Sequence, residues 1–244
     1  MKEAPTLSFV VPAHNEEHEL PATLQAIHAA ARASERSYEL IVVDDASTDA
    51  TAEIAQRFEA RVIAVNLRQI AAVRNAGARV ARGDILFFVD ADTHIAPSHV
   101  SLGIEALEAG FAGGSARVRV DAAVPFWADL FLKIFATFYF AARLGVGAFI
   151  FTKRASFEAV GGFDEQYFAG EEFYLTLALK KLGPFKILRE PIVTSARKIR
   201  MHERSFFLAQ SCLILFGGKR ALRKRERLDL WYDGRREQRA RVSG

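Results

Sequence analysis

The sequence predicts an α/β chain built on a mostly parallel, doubly wound sheet flanked by helices. Three observations carry that expectation. The first 95 residues alternate short apolar runs with Ala- and Leu-rich segments of helical period, giving β-α-β-α-β-α-β. The apolar runs are continuous rather than alternating, as in strands buried on both faces. Polar clusters follow strand after strand: His14-Asn15, Asp44-Asp45, Asn66, and Asp90 with Asp92. Ligands of open α/β sheets bind beyond the carboxyl ends of the strands, so this shared polarity at one edge is the first functional signal.

In order along the chain, Leu7 to Val11 reads as a strand ending at Pro12, and Leu20 to Ala33 as a helix. Leu40 to Val43 is a second buried strand. Ser47, Thr48 and Asp49 then offer caps for a helix through Phe58. Arg61 to Val65 is a third strand, Ala71 to Ala81 a third helix and Ile85 to Val89 a fourth strand. Pro97 to Gly110 is helical and Gly113 to Val120 a strand. Phe126 to Ala142 is an aromatic helix ended by Gly145 and Gly147, followed by a strand over Ala148 to Phe151. Ser156 to Val160 and Glu171 to Leu182 are helical, with "GGFDE" as the turn between them. Ile187 to Leu188 and Ile192 to Val193 are short strand candidates, and Ser205 to Phe216 is a last apolar helix closed by Gly217-Gly218.

The 244 residues, half of them hydrophobic and a quarter charged, suffice for one large packed domain with an appendage. One cysteine, Cys212, excludes an internal disulfide and fits a reducing compartment. The net charge of +4 is uneven: Lys219 to Arg241 alone carries a net +6, so the body is slightly acidic and the end basic. Such an end suits phosphate groups or an anionic membrane surface, or is a solvated helix. Nucleic acid is the weakest partner for it, because only Trp231 and Tyr232 interleave the charges. Ten of the twenty phenylalanines fall between Phe126 and Phe168. The aromatic helix is compatible with three roles: core, membrane interface beside the basic tail, or homodimer interface. The segment from Pro125 to Arg154 that contains it has no 18-residue run free of charge, since Asp129, Lys133 and Arg143 interrupt it, so a membrane span is not expected.

Individual motifs leave alternatives open. Asp90-Ala91-Asp92 suits Mg2+ or Mn2+ held against a diphosphate, because hard cations prefer oxygen; taken alone it also reads as a plain strand-end turn. Asp44 at a strand end suits a base or ribose, or an Asx turn. Glu171 and Glu172 open a helix, where the helix dipole favours negative charge; a general base needs a carboxylate in a cleft. His94 and His202 are candidate extra metal ligands or plain structural histidines. Arg197, Lys198, Arg200 and Arg204 form a basic cluster suited to a diphosphate or to the surface.

The combination is far more specific than its parts. "FVVPAHNEE", "IVVDDASTD", "VRNAGARVARGD", "FFVDADT", "FTKRASFEAVGGFDE" and "AGEEFYLTLALKKLG" occur in this order over about residues 6 to 195. Together they resemble the family 2 inverting glycosyltransferases, which have the GT-A-type nucleotide-sugar fold. With the break near Gly217, this gives one transferase domain over 1–218, a nucleotide-binding half (1–95) joined to an aromatic-rich acceptor half (96–218), followed by a basic tail (219–244). The resemblance places Pro12, His14 and Glu16 at the border of the nucleotide. Asp44 would read the base with Asp45 beside it, Arg74 and Asn75 would lie near the nucleotide-sugar, and Asp90 near the ribose. Asp92 would hold a divalent metal, Mg2+ or Mn2+. Glu172 would be the general base, with Glu171 before it. The implied partners are a nucleotide-diphosphate sugar, UDP-sugar favoured, and a hydroxyl acceptor, lipid-linked or glycan. The implied setting is cytoplasmic, at the inner face of a membrane.

Two departures stand out. The family usually reads Glu-Asp at the base where this chain has Glu-Glu, and a third acid two residues later is here Tyr174. They keep alive a catalytically degenerate nucleotide-sugar-binding protein. The absence of a Gln-x-x-Arg-Trp motif favours single addition over polymerisation. A nucleotide-sugar pyrophosphorylase would carry a glycine-rich, Arg/Lys-containing loop where this chain has "PAHNEE".

Overall fold

The computed structural model describes residues 6–121, 137, 139–197, 222 and 223. Its strands and helices, in chain order, are β1 (Leu7–Ala13), α1 (Leu20–Ala33), β2 (Tyr38–Asp45), α2 (Thr51–Arg57), β3 (Arg61–Val65), α3 (Ile70–Val80) and β4 (Ile85–Val89). There follow β5 (Thr93–His94), α4 (Pro97–Glu108), β6 (Gly113–Val120), β7 (Phe149–Lys153), α5 (Arg154–Ala159), α6 (Glu171–Leu179) and β8 (Phe185–Thr194).

The strands form one sheet in the order β3-β2-β1-β4-β7-β6-β8-β5. Neighbours β1–β2, β1–β4, β2–β3 and β6–β8 are parallel; β7 runs antiparallel between β4 and β6, and β5 antiparallel on β8. The reversal at β7 brings its first residues, not its last, to the carboxyl edge of the parallel strands. Asp90 N donates to Ala148 O at 3.1 Å across that point.

The continuous apolar runs follow from burial on both faces. Phe9 and Val11, with Phe87 and Val89, face the core that includes α1 and α4; Val10, Leu86 and Phe88 face the one that includes α3, α5 and α6. Phe9 stacks on Phe87 with centroids 5.0 Å apart. A Cβ on Gly77 would lie 2.3 Å from Val10 Cγ1 and 2.8 Å from Val43 Cγ2, so its bare backbone lets α3 press onto β1 and β2.

Most elements fall where the sequence places them. The two short strand candidates after residue 186 are instead one strand, β8, whose register on β6 shifts between Ala116 and Arg117. The helix that starts at Glu171 ends at Leu179 rather than Leu182. Of the aromatic helix expected over 126–142, residue 137 and residues 139–141 are helical, and the remainder up to 138 lies outside the described residues. So do the expected helix at 205–216, the boundary near Gly217, His202, Lys198, Arg200, Arg204 and nearly all of the basic tail. Of that tail, Leu222 is buried against Tyr167 and Ala169, and its carbonyl accepts from Phe168 N at 2.8 Å. Among the described residues no helix is long and apolar enough to cross a membrane.

Candidate active site

The carboxyl edge gathers acidic groups from four places: the loop after β1, the end of β2, the turn after β4 and the first turn of α6. Two arginines organise them, each bridging two carboxylates.

Arg74, in α3, is 2% exposed. Its Nη1 donates to Glu171 Oε1 at 2.5 Å, and its Nη2 to Asp90 Oδ1 at 2.7 Å and Gly147 O at 3.1 Å. Its guanidinium carbon lies 5.3 Å from the centre of the Phe163 ring. Burial works against its charge, but Asp90 and then Glu171 more than compensate and raise its pKa. A Cβ on Gly147 would come within 3.0 Å of Nη2, so the glycine makes room for the guanidinium. The neighbouring Asn75 donates Nδ2 to Phe163 O and Glu165 Oε1, both at 2.9 Å, and accepts from Phe163 N at 3.0 Å. The resemblance puts Arg74 and Asn75 near the nucleotide-sugar. In the structure the bonds of both go to protein: Arg74 holds the carboxylates in place, and Asn75 holds the "GGFDE" loop beneath them.

Glu172 follows Glu171 on α6, whose N-cap, Gly170, has φ +73°. That left-handed turn, costly for other residues, aims two consecutive carboxylates into the edge. Glu171 is buried and ion-paired, whereas Glu172 keeps part of its surface open. Burial of its carboxyl, then the charge of Glu171, pushes the pKa of Glu172 up to about 8, with Arg74 pulling the other way. Tyr139 closes this side. Its hydroxyl donates to Gly145 O at 2.7 Å, and burial, then the charges of Glu172 and Glu171, raise its pKa. Nothing in the sequence marks Tyr139 out from the surrounding aromatics.

The second bridge is Arg197, three residues beyond β8. Its Nη1 and Nη2 grip Glu16 Oε2 and Oε1 at 2.5 and 2.7 Å, and Nη2 also lies 3.1 Å from Asp92 Oδ2. Burial opposes its charge, but Glu16 and Asp92 raise its pKa. Asp92 Oδ1 also accepts from Thr194 Oγ1 at 3.3 Å. The Asp90-Ala91-Asp92 turn closes with Thr93 N donating to Asp90 O at 3.0 Å, and Thr23 Oγ1 donating to Ala91 O at 2.9 Å. The two aspartates therefore face different partners, Asp90 toward Arg74 and Asp92 toward Arg197.

The β1 and β2 ends are knitted together. Asp44 Oδ1 accepts from Ser47 N at 3.2 Å, the Asx turn that the sequence allows. Asp45 Oδ1 accepts from Leu67 N at 2.7 Å and Arg68 N at 3.1 Å, which ties β2 to the loop entering α3. His14 Nδ1 lies 2.8 Å from the Asp45 carbonyl, which can only accept, and Arg68 Nη1 reaches His14 Nε2 at 2.5 Å. Pro12 is the buried penultimate residue of β1, paired with Val43. Arg68, at φ +51°, is a contact the sequence did not flag. Asp49, one of the expected caps, accepts from Thr51 N at 3.0 Å; burial raises its pKa, but hydrogen bonds from Thr51 and Glu17 N hold it below the usual range.

Tyr174, in place of the third acid, stacks on Tyr167 with centroids 3.9 Å apart, and Arg223 lies 5.0 Å over the Tyr167 ring. Burial and Tyr167 push the Tyr174 hydroxyl up to about 12. Nε2 of His94, two residues beyond Asp92, is buried and has no hydrogen-bond partner among the described residues. Among the described residues no three His, Cys, Asp or Glu side chains converge as a closed metal site.

The glycosyl transferase family 2 model matches residues 8–160, more than half of the chain. Among curated relatives, the undecaprenyl-phosphate 4-deoxy-4-formamido-L-arabinose transferase of Pseudomonas fluorescens is 33% identical over 138 residues, which cover 52% of this chain and 40% of that protein. The enzyme of the same name from Photorhabdus laumondii is 35% identical over 113 residues, 43% of this chain and 34% of its own length. The chain thus matches less than half the length of these relatives. Among solved structures, the mannosyltransferase PcManGT of Pyrobaculum calidifontis, in complex with GDP-Man and Mn2+, superposes with a TM-score of 0.64 at 19% identity, covering 96% of this chain and 70% of that one. Glucosyl-3-phosphoglycerate synthase of Mycobacterium tuberculosis, with Mn2+, UDP and glucosyl-3-phosphoglycerate, gives 0.61 at 19% identity, covering 87% and 80%. At these identities the likeness is one of fold, the GT-A-type fold.

Proposed function

This chain belongs to glycosyl transferase family 2, and we propose that it moves one sugar from a nucleotide-diphosphate sugar to an acceptor hydroxyl, with inversion at the anomeric carbon. The observation that carries this reading is Glu172: a half-buried residue whose carboxyl, with a pKa of about 8, is suited to take a proton near neutral pH, set beside the Arg74–Asp90 pair. The acceptor oxygen forms its bond to the anomeric carbon as its proton passes to Glu172. The bond from that carbon to the diphosphate breaks on the opposite face, and the nucleoside diphosphate leaves with the electron pair. Glu171 keeps Arg74 in place and lifts the basicity of its neighbour. The loop carrying Pro12, His14 and Glu16, with Asp44 and Asp45, borders the nucleotide, and Asp90 lies toward the ribose.

The residues fit a hard divalent cation. Oxygen atoms of Asp92 and Glu16 already converge on a positive group, the Arg197 guanidinium, and a diphosphate would complete the coordination. Asp92 would hold Mg2+ or Mn2+, which would supply neutralisation of charge on the leaving diphosphate. Arg197, released from Asp92, is placed to grip the diphosphate itself.

Thermal unfolding tests this. UDP or GDP with Mn2+ should raise the melting temperature, since a ligand at a hundred times its Kd adds about 2.7 kcal/mol. Asp92→Asn, or chelation of the metal, should remove most of that shift. Absence of any shift with either nucleotide and metal would overturn the reading.

A second reading, an acceptor that is a lipid phosphate, is favoured by the acceptor in the names of the curated relatives. A phosphate oxygen with a second pKa of about 6 needs little help from a base, so replacing Glu172 would then have only a small effect on transfer.

A further inference from the structure

Away from the carboxyl edge, β6, β8 and the end of the aromatic helix enclose a groove of about 570 Å3. Among the described residues, four cationic side chains line it, Arg117, Arg143, Lys186 and Arg189, together with the phenyl rings of Phe111 and Phe140, and no acidic side chain does. All four cations are exposed, and none forms an ion pair among the described residues. Lys186 Nζ lies 5.3 Å over the Phe111 ring, so apolar surface and charge are interleaved.

Two further observations separate this concavity from an ordinary solvated basic face. Lys180 donates Nζ to Ala142 O at 2.7 Å, and its pKa is lowered, first by burial and then by the charge of Arg143. The ammonium of Lys180 thus sits close enough to the Arg143 guanidinium to feel its charge, which places a fifth cation beside the groove. Arg143 is held at φ +52°, at a helix end closed by Arg143 N donating to Phe140 O at 2.9 Å and Leu144 N to Tyr139 O at 3.2 Å. Glycine or asparagine ordinarily takes that left-handed position, yet here it presents a guanidinium to the groove.

The groove lies back from the reaction edge along β8: Lys186, paired with Gly114 near the start of β6, is eight residue steps, about 26 Å at 3.3 Å each, from Thr194, and Arg189 is five steps, about 16 Å, from it. We propose that it binds the phosphate headgroup of a membrane lipid, with the apolar chain laid along Phe111 and Phe140. Converging guanidinium groups suit the phosphate oxygens, and the aromatic walls suit a chain that a free anion lacks.

Calorimetric titration of the full chain with dihexanoyl phosphatidic acid below its micelle concentration, without nucleotide or metal, tests this. Saturable one-to-one binding is expected, and the exposed double change Arg117→Ser, Arg189→Ser should weaken it about tenfold or more, since hydrogen bonds to charged groups are the strong ones. Unaltered circular dichroism and melting temperature would establish that the variant is folded. Equal affinity of variant and wild type, or no saturable binding, would overturn the site. Binding of inorganic phosphate, or of dihexanoyl phosphatidylcholine, as tight as that of phosphatidic acid would overturn the anionic lipid as its occupant. No donor takes part, so the outcome is independent of the transferase reading.

Discussion

Glu172→Gln is expected to leave nucleotide binding near the wild-type level while lowering transfer to a hydroxyl acceptor by about 10² to 10⁴, the range that a positioned base supplies. Gln fills the same space and cannot take a proton. A second readout makes the prediction independent of finding the acceptor. The folded pKa of about 8 stands above the ordinary 4.5, so the folded chain binds the Glu172 proton more tightly than the unfolded chain does. Between those values rising pH therefore removes stability. Glu172→Gln escapes that loss: it should be more stable than wild type at pH 9, by on the order of a few kcal/mol, and close to it at pH 4. Unfolding in urea at the two pH values measures the difference. An equal offset at both would show that Glu172 is ordinarily solvated and no base.

Arg74→Met should be the most damaging single change to the fold of the site. It leaves the buried carboxylate of Glu171, and that of Asp90, without their shared counter-ion. Removing one partner of a buried pair costs about 3–5 kcal/mol, which for a domain of this size lowers the melting temperature by roughly 10 °C. Arg74→Lys should recover only part of it, because a single ammonium cannot span the two carboxylates. Calorimetry of both variants checks this, and a loss under about 1 kcal/mol for Arg74→Met would mean that the bridge contributes no more than a surface pair.

The β1, β2 and β4 strands are legible because burial on both faces forces continuous apolar runs such as Leu86 to Val89. β8 is not legible as one strand: Arg189, Glu190 and Pro191 interrupt its apolar pattern where its register on β6 shifts. β5 has two residues, too few for any period. The acidic residues of the site stand out as charges that end buried runs. Their partners do not, because Arg74 meets Glu171 across 97 residues and Arg197 meets Glu16 across 181. The sequence does show a basic cluster around Arg197, but no local pattern says that one of its members turns back into the edge. Asp45, similar in sequence to Asp44, differs from it only through the loop it ties down.

The pH dependence of transfer tests the role of Glu172 most directly. The ratio kcat/KM is expected to rise through an apparent pKa near 8, and Glu171→Gln to move this limb toward acid, because the charge of Glu171 is the second cause, after burial, that raises Glu172. A flat profile between about pH 6 and 9, or a limb that Glu171→Gln leaves where it was, would contradict that role.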